Sequence, residues 1–267
     1  MNARLRTDTW ASGDAYERNV GRWSRRVAPQ LLEWLEIPAD RWWLDVGRGS
    51  GALTQAILQR AAPRGIACFD RSTGFIGDVR AHVDAQPVRF VAGDAQALPI
   101  AEAAFDAVVS GLVLNFVARP QQAVNEMARV TRSGGVLAVY VWDYADKMQL
   151  MRYFWDAAAA LDPAARALDE GRRFSICRPP ALQALFQNAG LREITVQPID
   201  IATHFRDFDD YWQPLLGGQG PAAGYATSLN DERRAALREQ LRATLPFAPD
   251  GSIPLMARAW AARGAKV

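Results

Sequence analysis

Apolar residues in this chain recur at two different spacings. Val27, Leu31, Trp34 and Leu35 fall at helical intervals that stop at Pro38, which predicts a leading helical segment over 14–37. After it come short apolar runs that read as strands, at 42–46, 65–69, 88–91, 105–109 and 136–142. Between them lie helix-patterned stretches at 50–61 (Ala-rich, closed by Pro63), 73–83 and 120–130, the last stopping at a Ser133-Gly134-Gly135 turn. The run at 136–142 is almost wholly apolar, as a strand covered on both faces must be, so it is expected near the middle of the sheet. Strands alternating with helices predict a parallel, doubly wound α/β sheet.

Beyond residue 143 the pattern changes. Residues 148–189 are helical in spacing, with breaks at Pro163 and Pro179-Pro180, and 191–201 alternates like a strand. Helical spacing returns at 208–216 and 231–245, on either side of a Gly217-Gly218-Gln219-Gly220-Pro221 loop, and 251–262 can form a last strand. Three regions are expected: an N-terminal helical lid over 1–38, a cofactor-binding core over 39–143, and a helical substrate cap with the final strands over 144–267.

Composition narrows the function classes. At 267 residues, 49% apolar and 22% charged, the chain suits one α/β domain with an insertion. A formal net charge of +2 without a long basic block gives no electrostatic grip on nucleic acid. No run approaches the roughly 18 apolar residues of a membrane span, and the first residues lack an apolar signal core. Cys68 and Cys177 have no metal-ligand spacing and read as buried apolar residues, which points to a reducing, cytoplasmic setting. No metal site is expected, and oligomeric state is not legible.

The chemistry centres on Leu44-Asp45-Val46-Gly47-Arg48-Gly49-Ser50-Gly51. Three alternate glycines follow a strand and open a helix, giving a tight turn, close backbone approach and free N–H groups at a helix start. Gly47, Gly49, Ala52 and Asp70 also satisfy the dinucleotide fingerprint, so the glycines alone do not choose a cofactor. Asp45 does. A carboxylate just before the turn would repel a pyrophosphate but suits a phosphate-free cofactor that presents an ammonium group. S-adenosylmethionine is such a cofactor, which favours methyl transfer over hydride transfer.

Several blocks in order, LDVGRGSGALT, CFDRS, VAGDAQALPI, FDAVVSGLVLNF and ARVTRSGGVLAVYVWD, resemble those of the class I S-adenosylmethionine-dependent methyltransferases. The nearest group is the small-molecule branch that includes the ubiquinone/menaquinone-biosynthesis type. The resemblance covers residues 40 to about 143, and the GRWS stretch within 16–24 is similar to a relative's cofactor lid. It implies a Rossmann-like sheet of seven strands with the last antiparallel. It also implies a site in which Asp45 and the Gly47, Gly49 and Gly51 backbone hold the methionine end and Asp70 accepts from the ribose hydroxyls. Asp94 and the Ala95 N–H would read the adenine, and the Ser110 backbone would touch the methionine moiety. Arg22 either salt-bridges on a surface or covers the cofactor carboxylate. Arg48 stands where the family carries a small residue; its guanidinium either finds an anion or crowds the loop.

Each of these residues has a plainer use. Aspartates at strand ends often cap helices or turns, though three in a row favour a ligand. The aromatics Trp142, Tyr144, Tyr153, Phe154 and Trp155 follow the fifth strand, where this fold puts its substrate, yet helix-spaced aromatics commonly pack a core. Tyr144, Arg152, Tyr153, Trp155 and His204 are the candidate substrate contacts, with His204 favoured as structural and His82 as a surface residue. No catalytic acid–base pair stands out, in keeping with an in-line displacement whose leaving group is already charged. A non-catalytic binder of S-adenosylmethionine or its product is the alternative, and a nucleotide-cofactor oxidoreductase the weaker one.

Overall fold

The computed structural model describes residues 21–71, 88–217 and 220–267. Helix α1 (Arg22–Leu35) buries Trp23, Val27, Ala28, Leu31, Leu32 and Leu35 on one stripe and leaves Arg25, Arg26, Gln30 and Glu33 exposed. Then follow β1 (Trp42–Val46), α2 (Ala52–Arg60), β2 (Gly65–Asp70), β3 (Val88–Ala92), β4 (Phe105–Gly111), α3 (Pro120–Val130) and β5 (Thr131–Trp142). The helix expected over 73–83, His82 and residues 1–20 of the expected lid lie outside the described residues.

Strands β1 to β5 pair in parallel. With β6 (Arg192–Phe205) and β7 (Ile253–Ala265) they make one seven-stranded sheet in the order β3-β2-β1-β4-β5-β7-β6. The last strand runs antiparallel to β5, from Val136 opposite Ala265 to Trp142 opposite Ala259. The architecture is therefore the doubly wound, seven-stranded one implied by the sequence, with β5 inside the sheet. Central β1, β4 and β5 are buried at successive positions, so both of their faces are covered there. Edge strand β6 carries an exposed Pro198 that withholds an N–H from any further strand.

Two boundaries differ from the sequence reading. The Ser133-Gly134-Gly135 turn does not precede β5 but lies within it. Thr131 already pairs with Phe105, the register jumps so that Val136 pairs with Ala107, and Gly134 adopts a φ of 74°. The displaced residues bond instead to the end of the chain, Gly134 N–H to Lys266 O at 2.8 Å and Lys266 N–H to Gly135 O at 2.9 Å. Secondly, Gly220-Pro221 is not loop: it opens helix α8 (Gly220–Ser228), where proline's fixed φ and missing N–H suit the first helical turn.

Two compact units divide the chain. The sheet unit comprises Trp23–Asp143, Ser175–Ile201 and Arg258–Val267, and includes α6 (Pro179–Asn188). The helical unit takes in Arg22, Tyr144–Phe174 and Ala202–Ala257. It is built on α4 (Gln149–Leu161), the short α5 (Glu170–Arg173) and α7 (Phe208–Trp212), α8, and α9 (Asp231–Thr244). Its core is aromatic: Phe154 and Trp155 of α4 meet Tyr225 of α8 with centroids at 6.2 and 5.7 Å. The Tyr211 hydroxyl donates to Leu150 O at 2.7 Å. Among the described residues no helix is long and apolar enough to cross a membrane. No cluster of three or more metal-ligating side chains occurs among them either.

Candidate cofactor site

The strand order reverses between β1 and β4: the chain leaves β1 toward β2 and β3, then returns to β4 on the other side. Ligands of open α/β sheets bind at the carboxyl ends of the strands beside such a switch point. Here the ends of β3, β2, β1 and β4 carry, in spatial order, Asp94 (two residues past its strand), Asp70, Asp45 and Ser110. The three aspartates read at separate strand ends, and the serine that the resemblance adds, thus share one edge.

They are not equivalent. Asp45 pairs with Cys68 in the register, two residues below the level of Asp70, and its carboxyl is buried. The Thr54 hydroxyl, from the first turn of α2, donates to Asp45 Oδ2 at 2.6 Å and lies 3.3 Å from Cys68 Sγ. Burial pushes the Asp45 pKa up to about 6, against the Thr54 hydrogen bond and the Arg48 charge, which pull it down. Burial likewise pushes the Cys68 thiol up to about 12, so it is an inert apolar neighbour at neutral pH. Asp94, by contrast, is exposed. Its Oδ1 accepts from the Gln96 N–H and amide at 2.9 Å each, and these bonds hold its carboxyl below the usual range. Ala95 beside it is half-buried.

The glycine turn is tied to β2. Gly47 and Arg48 N–H both donate to Phe69 O, at 2.7 and 3.1 Å, and Gly49 N–H donates to Asp70 Oδ2 at 2.8 Å. One carboxylate oxygen of Asp70 therefore anchors the turn, a role sequence reading did not assign. Gly47 has φ 79°, and a Cβ there would lie 2.5 Å from the Val113 side chain. Gly51 has φ 88°, and a Cβ there would lie 2.5 Å from the Arg48 guanidinium. Gly47 demands glycine for conformation and for space, and Gly51 for conformation, since the Arg48 side chain can move aside. Ser110 Oγ donates to Val46 O at 2.7 Å, closing β4 onto β1, so what it offers a ligand is backbone. Arg48 folds back over the turn: Nη1 donates to Gly49 O at 3.3 Å, and the guanidinium carbon sits 5.5 Å from the Phe90 ring centre.

The remaining candidates fall in the helical unit. Arg22 binds Asp210, Nη1 to Oδ1 at 2.9 Å, and lies 4.8 Å over the Phe205 ring. Arg152 grips Asp169 with two nitrogens, and Trp155 is buried, donating from Nε1 to Glu170. Tyr144 is buried with its ring 5.5 Å from Phe174. Tyr153 is half-buried and His204 exposed on β6. Sequence reading missed Thr54 and Glu170. A threonine one helical turn beyond a glycine loop was the available sign for the first; nothing marked the second.

Residues 44–139 match the family described as "Methyltransferase domain". The chain is 34% identical over 113 residues to the ubiquinone/menaquinone biosynthesis C-methyltransferase of Roseobacter denitrificans, covering 41% of this chain and 45% of that one. It is 27% identical over 179 residues to the 2-phytyl-1,4-naphtoquinone methyltransferase of Thermosynechococcus vestitus, covering 63% and 80%. The fold is similar to that of a Haemonchus contortus phosphoethanolamine N-methyltransferase solved with S-adenosylhomocysteine. That likeness has a TM-score of 0.59 at 13% identity and covers 95% of this chain and 56% of that one. The chain spans less than half the length of the first curated relatives it matches.

Proposed function

We propose that the protein is an S-adenosylmethionine-dependent methyltransferase of class I that moves a methyl group onto a small, partly apolar metabolite, a reading supported by the match of residues 44–139 to a methyltransferase domain. The observation that carries this reading is the row Asp94, Asp70, Asp45 and Ser110 along one sheet edge, with the glycine turn tied into it. The donor set fits the cofactor. Asp45 supplies a carboxylate for an ammonium group, and Gly47, Gly49 and Gly51 let the backbone come close to the methionine end. Asp70 can accept from ribose hydroxyls, Asp94 from the adenine amino group, and the Ala95 N–H can reach a ring nitrogen. Arg22 is proposed to cover the cofactor carboxylate.

S-adenosylmethionine supplies, when bound, an electrophilic methyl on a positively charged sulfur. What the chain contributes is binding, orientation and exclusion of water around an in-line displacement. A proton acceptor is required only for an acceptor that arrives protonated. The names of the relatives point to quinone-type rings, in their reduced hydroquinone form, as the first acceptors to try, and Tyr144, Arg152, Tyr153, Trp155 and His204 are proposed to face the acceptor. A second reading, a binder without turnover, is favoured by Arg48 in a position the family fills with a small residue. Titration calorimetry with S-adenosylmethionine, S-adenosylhomocysteine and NAD, followed by a labelled-methyl transfer assay on hydroquinones, separates the readings. Binding of the first two with transfer supports the enzyme, binding without transfer the binder, and binding of NAD alone overturns both.

A further inference from the structure

We propose that Glu126 and Arg129 of α3 are positioning residues that set the adenine selectivity of the loop following β3. The inference rests on the cofactor reading above for Asp94 and Ala95. That loop, 93–104, has no regular structure of its own, yet Leu98 within it is buried and its backbone is gripped from α3. Glu126 Oε2 accepts the Leu98 N–H at 2.9 Å. Arg129 donates to Leu98 O at 3.0 Å and to Ile100 O at 2.9 Å. The two side chains also bind each other, at 2.7 and 2.8 Å, one helical turn apart. Further along the loop Gln122 donates to Gln96 O at 3.0 Å, and Gln96 in turn holds the Asp94 carboxylate through its backbone and its amide.

The chain of contacts therefore runs from α3 through Leu98 and Gln96 to Asp94, the group proposed to read an adenine amino group. Two charges on a half-exposed helix face do little for stability by pairing with each other alone. Here they spend five hydrogen bonds on ordering one loop and on their mutual pairing, which fixes the direction of the Asp94 carboxylate. A carboxylate fixed as an acceptor discriminates sharply between an amino group and a carbonyl at the same ring position, because the latter leaves two acceptors facing each other. A loop free to move would still bind, but would turn Asp94 aside and lose the discrimination.

The test measures affinity for S-adenosylhomocysteine and for its inosine counterpart, in which the adenine amino group is a carbonyl. The wild-type chain should prefer the adenine compound by about tenfold or more. Glu126→Ala should lose about tenfold in affinity for the adenine compound, the worth of one good hydrogen bond, and bind the two compounds almost equally. Glu126→Gln keeps an acceptor for the Leu98 N–H and should restore most of the preference. Gln122→Ala, which removes only the bond to Gln96 O, should give an intermediate loss and serves if Glu126→Ala does not fold. Equal weakening toward both compounds, or an unchanged preference in Glu126→Ala and Gln122→Ala, overturns the proposal. A wild-type chain that binds neither compound overturns the cofactor reading instead, and the proposal with it.

Discussion

A carboxyl group buried as fully as Asp45 must either keep a proton or meet a cation, and its pKa of about 6 places that choice close to neutral pH. Because the folded value lies above the ordinary 3.8, the folded chain holds a proton that the unfolded chain releases between those values. Stability from this group is full below about pH 4 and declines as pH rises to about 6, by an amount on the order of 2–3 kcal/mol. Asp45→Asn should therefore flatten the dependence of Tm on pH between 4 and 7. If Asp45 is the ammonium partner, the same substitution should also abolish S-adenosylmethionine binding, and wild-type affinity should rise from pH 5 to pH 7. A variant that binds as before removes Asp45 from the site. Arg48 is a second residue-scale test. Its guanidinium already lowers the Asp45 pKa, so Arg48→Ala should weaken cofactor affinity several-fold, and more at low salt where charges are less screened. Tighter binding would mean that the arginine crowds its loop. Aspartates at strand ends were legible because the pattern that marks a strand also marks where it stops. Thr54 and the anchoring role of Asp70 were not, because both arise from contacts between elements.

Strands were the best-read elements, since an apolar run bounded by turns needs no partner to be recognised: β1 begins and ends where the sequence puts it. The start of β5 and helix α8 escaped because local punctuation was overruled. The Ser-Gly-Gly turn survives as an irregularity inside a paired strand, and Gly-Pro works as a helix start. Helix α5 shows how little sequence says about a short element whose order comes from tertiary contacts. It is four residues long, begun by an Asp169 cap, with Asp169 bound by Arg152 and Glu170 by the Trp155 indole of α4. Burial raises the Glu170 pKa to about 7 from 4.5, so its contribution to stability is lost as pH rises from about 4.5 to about 7. Glu170→Gln keeps an acceptor for the indole and removes the charge. It should raise Tm at pH 8, leave it nearly unchanged at pH 4, and so shrink the difference between the two. A variant that is equally destabilised at both pH values would show that the carboxyl is held as an anion after all.

At the scale of the whole molecule, the family match and the proposed cofactor contacts other than Arg22 are concentrated in one part of the chain. The family match stops at residue 139, just short of Tyr144, where the Tyr144–Phe174 stretch of the helical unit begins. The edge of the sheet unit formed by β3, β2, β1 and β4 is committed, in the proposed reading, to a cofactor that relatives with different acceptors share. Selection among acceptors then has to come from residues that relatives need not share, and pockets for small, partly apolar molecules need aromatic walls with few polar groups. The helical unit holds the proposed acceptor contacts Tyr144, Arg152, Tyr153, Trp155 and His204. A net charge of only +2 leaves little long-range steering to assist the choice. Replacing residues 203–246 by the corresponding segment of a relative with a different acceptor, with Phe205 and Asp210 kept so that Arg22 retains its partners, should therefore change which hydroquinone is methylated. Affinity for S-adenosylhomocysteine should stay within about threefold, since none of the eight cofactor contacts proposed in the sheet unit is exchanged and 0.65 kcal/mol, about that ratio, is ordinary variation between variants. If the chimera keeps the original acceptor preference at full activity, selection belongs to the sheet unit, and the division of labour proposed for the two units is wrong.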